Sequence, residues 1–393
     1  MDEKQIEQWL KDGIITKEQA QKMLADTSQY KKEQSSNKLI VAISTIGTIL
    51  LGIGVILFIA SNWMRFSNIF KVVILLGATF GSYYVGYICR YQKQNLPKAG
   101  ASLIFLGALL FGATVFLVAQ MYHINANSHT LMLIWLIGIV PLVYTLKTTP
   151  IAALATFLFY IWAALFVFRN FSFQEACGDF FYLPVLYLVV GVLAFGIGAL
   201  HYLSDDLKAV ARTYRISGIK IGMLALFLLT FRFFSGHYDN FNIRAGAMPS
   251  RQFITGLIIF SILALIFIII DRILNPSKSK TSILECYISL GLLTVALVFF
   301  FFPSTTNIYP LLFNLILAGI IFTLIFIGYQ REDIRLVNIG MSYLVVLVVV
   351  RYFDFFWDLL PRAMFFMIGG AILIIGGIAI EKKRRELKKQ FGA

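Results

Sequence analysis

The sequence predicts an all-α chain: a polytopic bundle of about 12 transmembrane helices behind a short helical hairpin. Three observations predict this. The 393 residues are 59% hydrophobic and 14% charged, with a mean hydropathy of +0.80, and a soluble chain of that length carries far more charge on its surface. The apolar residues form continuous runs of helical length, whereas a membrane barrel needs alternating strands of about ten residues. The positive charge, +14 net, sits mainly at every second connection between the runs.

Taken in order, residues 1–30 form a separate polar unit. Ile6, Trp9 and Leu10 share one helical face, and Gly13 fits a helix stop. Thr16 with Gln19 fits a capping box for a second helix, whose inner face carries Ala20, Met23 and Leu24. The opening MDEKQIEQWLKDG is too charged for a signal peptide. Residues 31–38, which include KKEQSSNK, read as a linker.

The bundle follows over 39–381. Its expected spans are 39–60, 70–89, 99–120, 131–146, 151–168, 182–202, 216–234, 252–271, 283–302, 309–328, 334–352 and 364–381. Thr148, Thr149 and Pro150 make a tight turn between the fourth and fifth, so that pair is also compatible with a re-entrant hairpin. A basic tail, 382–393, closes the chain. With both termini in the cytoplasm, roughly 26 of the 34 Lys and Arg residues fall on that side and about 8 on the other. An odd helix count would invert the bias part-way along. The charge is therefore read as orientation against anionic lipids at the cytoplasmic face, and not as a nucleic-acid surface.

The segments WLKDGIITKEQA, FLVAQMYHI and RYFDFFWDLLPRAMFF, with the glycine-rich last span and EKKRRE, resemble the bacterial family of predicted membrane proteins DUF2157. The resemblance implies residence in the bacterial cytoplasmic (inner) membrane. It implies no reaction and carries over no functional residues.

Two polar constellations are candidates for an outer vestibule. Arg351, Asp354, Asp358 and Arg362 follow at steps of three and four, so a helix places them on one stripe with signs that can pair between turns. An ion-paired helix end anchored by aromatics is the plainer reading of the same residues. The second group is Gln120, Tyr122 and His123 at the outer end of the third span, with Asn125 and His129 beyond; Arg232, His237, Asp239, Glu175 and Asp179 fall on the same expected side. His123 and His129 are too far apart for a metal motif, Cys89, Cys177 and Cys286 lack ligand spacing, and no cofactor fingerprint occurs, so no catalytic, cofactor or metal residue is assigned. The span centres are read as nearly free of ionisable groups, with Glu285 only a turn inside the ninth. Their polarity is left to Ser44, Thr48, Thr79, Ser82, Thr114, Thr156, Thr294, Asn314 and Ser342. Gly77 with Gly81, Gly218 with Gly222, and the glycines of the last span read as helix contacts.

This interior suits a transporter or permeation scaffold for a neutral or amphipathic small molecule. A non-catalytic assembly or sensor protein, meeting a soluble partner through the N-terminal hairpin, is the first alternative. A membrane enzyme acting on a lipid-linked substrate is the second.

Overall fold

The computed structural model describes residues 16, 18–19, 40–55, 57–58, 61, 67–123, 128–168, 173–235, 249–274, 280–302, 308–356, 366–371, 374–378, 381–382 and 385. Among these there is no strand. The chain divides into two compact units, Met1–Ala126 and Asn127–Ala393.

The first unit contains α1 (Ile40–Val55), α2 (Asn68–Tyr87, continued by the π-helical turn Ile88–Gln92) and α3 (Pro97–Met121). Ser67 caps α2 by accepting from the Phe70 amide, and Pro97 opens α3, where its missing N–H costs nothing. The α2–α3 pair is close because neither Gly86 nor Gly100 has a side chain. A Cβ on Gly100 would stand 2.7 Å from the Gly86 carbonyl oxygen.

The second unit contains α4 (Ser128–Leu146), α5 (Thr149–Val167), α6 (Phe173–His201), α7 (Lys208–Leu229), the short α8 (Arg232–Ser235), α9 (Arg251–Leu274), α10 (Lys280–Phe301), α11 (Ile308–Gln330), α12 (Ile334–Phe356) and α13 (Phe366–Ile378). Helix α6 is central and packs on α5, α7, α9 and α10. Its Leu186, Leu188, Val189 and Val190 are fully buried, in one core cluster with Leu226, Phe253 and Phe299 of its neighbours. Gly191 and Gly218 bring α6 and α7 into backbone contact: a Cβ on Gly218 would lie 2.6 Å from the Gly191 oxygen.

Each of the 12 expected spans has a helix over it. Nine of the described helices are long and apolar enough to cross a membrane. Three fall short, for visible reasons. Ile40–Val55 and Phe366–Ile378 are short as described, and α7 carries Lys208, Arg212, Arg215 and Lys220. The fourth and fifth spans are full-length helices of 19 residues each, joined where Lys147 adopts a φ of 51° and Pro150 starts α5. At about 1.5 Å per residue each reaches roughly 28 Å, enough to cross the hydrocarbon core.

The N-terminal capping box is present: the Thr16 amide donates to Gln19 Oε1 at 3.0 Å, and the Gln19 amide to Thr16 Oγ1 at 3.3 Å. The rest of the expected hairpin lies outside the described residues. Gly77 and Gly81, expected at a helix contact, have nothing within 4 Å of an added Cβ, so the close approach of α2 belongs to Gly86 instead. Six of the polar residues expected in the spans are satisfied within their own helices. Thr48, Thr79, Thr114, Thr156, Thr294 and Ser342 each donate to the carbonyl four residues back. That geometry removes the cost of a bare hydroxyl in hydrocarbon.

Candidate functional site

Three helices of the second unit bring charge together at one end. Arg215 stands two turns into α7, Glu285 in the second turn of α10, and Arg331 just past α11. Arg215 Nη2 and Arg331 Nη1 both reach Glu285 Oε1 at 2.7 Å, and Arg331 Nη2 donates to Glu285 Oε2 at 2.9 Å and to Ser282 Oγ at 3.2 Å. The fork of Arg331 is thus bidentate on one carboxylate. Arg215 also lies over the rings of Phe195, at 4.7 Å, and Tyr202, at 5.3 Å. Only 13% of the Glu285 side chain is exposed, so the triad is held in a shielded setting.

The triad lines a chamber of about 260 Å³, with Ser282, Cys286 and the buried Asp271 on its walls. Two arginines face two carboxylates, so its charge is formally balanced. A second, narrower cavity of about 80 Å³ runs between α6, α7, α10 and α11 and is walled by apolar residues such as Val192, Met223, Leu226 and Leu292. Chamber and cleft adjoin, sharing Phe195, Glu285 and Ser289 in their walls, with the polar chamber toward the end of the bundle and the apolar cleft within it. At the same end, Lys147 of the α4–α5 turn pairs with Asp206 of the α6–α7 connection at 2.5 Å. Beside it the hydrogen bond and charge of Lys208 hold the Asp205 carboxyl below its ordinary range.

The residues expected to form an outer vestibule fall in both units. Arg351 does pair with Asp354, but its guanidinium also donates to the hydroxyl and carbonyl of Thr230 and lies 5.1 Å from the Phe231 ring. Asn314 donates to the same Thr230 carbonyl at 3.3 Å. These bonds tie α12 and α11 to the end of α7. Arg351 Nε is buried without a partner among the described residues. Arg232 is exposed at the start of α8, while Asp358 and Arg362 lie outside the described residues. Gln120, Tyr122 and His123 are exposed at the end of α3 and belong to the first unit, Arg351 to the second. Of the other polar residues on that side, His129 is buried, edge-on to Phe166, and Asp179 is buried as acceptor for the Ser250 amide and hydroxyl at 2.7 and 2.8 Å. His237 and Asp239 lie outside the described residues. Among the described residues no three His, Cys, Asp or Glu side chains come together as a metal site.

Sequence reasoning placed Glu285 near a membrane surface but missed its partners. Arg215 and Arg331 were absorbed into the general basic bias of their loops; a carboxylate one turn inside an apolar run was the available signal for a buried partner.

The family comparison covers the other part of the chain. Residues 7–152 match the predicted membrane protein family DUF2157. The DUF2157 match takes in the first unit and α4 and stops before the Arg215–Glu285–Arg331 triad. No curated protein and no solved structure matches the chain.

Proposed function

We propose that this multi-span membrane protein takes up a neutral or zwitterionic amphipathic small molecule, with the second unit as a permeation scaffold. One observation carries the reading: the balanced chamber and the apolar cleft adjoin, with Phe195, Glu285 and Ser289 in the walls of both. A polar head fits against Arg215, Arg331 and Ser282, and an alkyl chain fits along Val192, Met223 and Leu226. Pockets of this kind, mostly apolar with a few converging polar groups, are the usual form of small-molecule sites. On this reading the basic end faces the cytoplasm, and Arg351, Asp354 and Arg232 mark the opposite end of the second unit.

The test uses decyl maltoside, an uncharged head on a short alkyl chain, below vesicle-lysing concentrations. Proteoliposomes holding the full chain should take it up faster than protein-free vesicles, with saturation. Gly222 lines the cleft, and a Cβ added there meets nothing within 4 Å. Gly222→Leu directs a larger side chain into the cleft, and its uptake should fall to the protein-free rate while Gly222→Ala keeps most of it. Wild-type uptake no faster than that of empty vesicles, or uptake indifferent to Gly222→Leu, overturns the proposal. The assembly or sensor reading has the Thr16–Gln19 capping box in its favour; removal of residues 1–30 should leave uptake intact if the permeation reading holds.

A further inference from the structure

Lys220 is an ionisable side chain one turn inside the expected span 216–234, and the permeation recess does not use it. It lies about 7.5 Å along α7 beyond Arg215, close enough to the basic end of that helix for its long side chain to reach the headgroup level, and Tyr343 of α12 donates to its carbonyl oxygen at 3.1 Å. Lys220 is exposed on an open groove of about 540 Å³ between α5, α7 and α12. No carboxylate lines that groove, and among the described residues the ammonium has no acidic partner. A charge at this depth is costly unless it meets an opposite one.

The neighbouring hydroxyls are already committed. Tyr160 donates to Ser217 Oγ at 3.2 Å, Ser217 to the Tyr214 carbonyl at 2.9 Å, and Ser342 to the Asn338 carbonyl at 2.7 Å. The donors left to a ligand among the described lining residues are the Lys220 ammonium and the Asn338 amide. Below them Ile221, Leu224 and Ile339 give an apolar wall. Cation, amide and apolar wall together match a negatively charged headgroup with an acyl chain, as basic pockets between membrane helices do. We infer that this groove is a binding site for an anionic phospholipid, its phosphate on Lys220 and Asn338 and its acyl chain along Ile221 and Ile339.

Native mass spectrometry of the purified full chain tests this, with phosphatidylglycerol and phosphatidylcholine of identical acyl chains supplied in equal amounts. The wild type should retain phosphatidylglycerol in preference. Lys220→Met should retain one phosphatidylglycerol fewer, and Lys220→Arg the wild-type number. Ile339→Trp, which obstructs the acyl wall but keeps the charge, should lose the same lipid and provides a second reading if Lys220→Met does not fold. An unchanged count in both Lys220→Met and Ile339→Trp, or equal retention of the two lipids, overturns the assignment. So does oleate bound in a Lys220-dependent way with no phosphatidylglycerol, which makes the site one for a free carboxylate. The site shares no lining residue with the permeation recess, so decyl maltoside uptake can fail while the lipid count holds, and the reverse.

Discussion

At the scale of single residues, Glu285 carries the largest electrostatic responsibility. Two guanidiniums converge on its one carboxylate, and Glu285→Gln keeps the shape while removing the charge between them. Leaving one side of a buried pair uncompensated costs about 3–5 kcal/mol; the partial exposure here places the effect near ~3 kcal/mol. The thermal midpoint of Glu285→Gln in detergent should fall by several degrees, and adding Arg215→Met should recover part of it. No change in midpoint would show that the triad does not hold α7, α10 and the end of α11 together. Individual residues were unevenly legible in the sequence. Thr16 and Gln19 were, because a capping box is local and both its bonds lie within four residues. Arg215 and Arg331 were not, because what distinguishes them from other loop cations is a carboxylate tens of residues away. Lys220 was hidden for another reason: it lies in the expected span 216–234, and the residues that make a groove with it, Asn338 and Tyr343, come from a helix far along the chain.

At the scale of elements, helix packing decides which glycines matter. The expected pair Gly218 and Gly222 splits in two. On Gly218 a Cβ would press on the backbone of Gly191 and Phe195, at 2.6 and 2.7 Å, whereas on Gly222 it meets open space. Gly218→Ala should therefore force α6 and α7 apart, costing about 1–3 kcal/mol, and Gly222→Ala should be close to neutral. Paired unfolding measurements check this, and equal midpoints for the two variants would contradict the α6–α7 contact. Spacing alone could not separate these glycines. A step of four places both on the same stripe, but the closest approach of two crossing helices falls at one point along it. The helices themselves were legible, since an apolar run of about 20 residues leaves the backbone few alternatives in lipid.

For the whole molecule, the arrangement of charge and the arrangement of cavities agree. Within the second unit the described connections that carry Lys147, Lys208 and Arg331 lie at the chamber end, and that end is predicted to face the cytoplasm. Sidedness of the chamber is therefore the direct check on the account. Replacing Cys89 and Cys177 by alanine leaves Cys286, half-buried on the chamber wall, as the single thiol. Its reaction with a membrane-impermeant maleimide should be followed in sealed vesicles of either orientation. The account predicts labelling in inverted vesicles, slowed by decyl maltoside, and none in right-side-out vesicles. Labelling from the outer face, or a Cys286 that reacts from neither side, would contradict it.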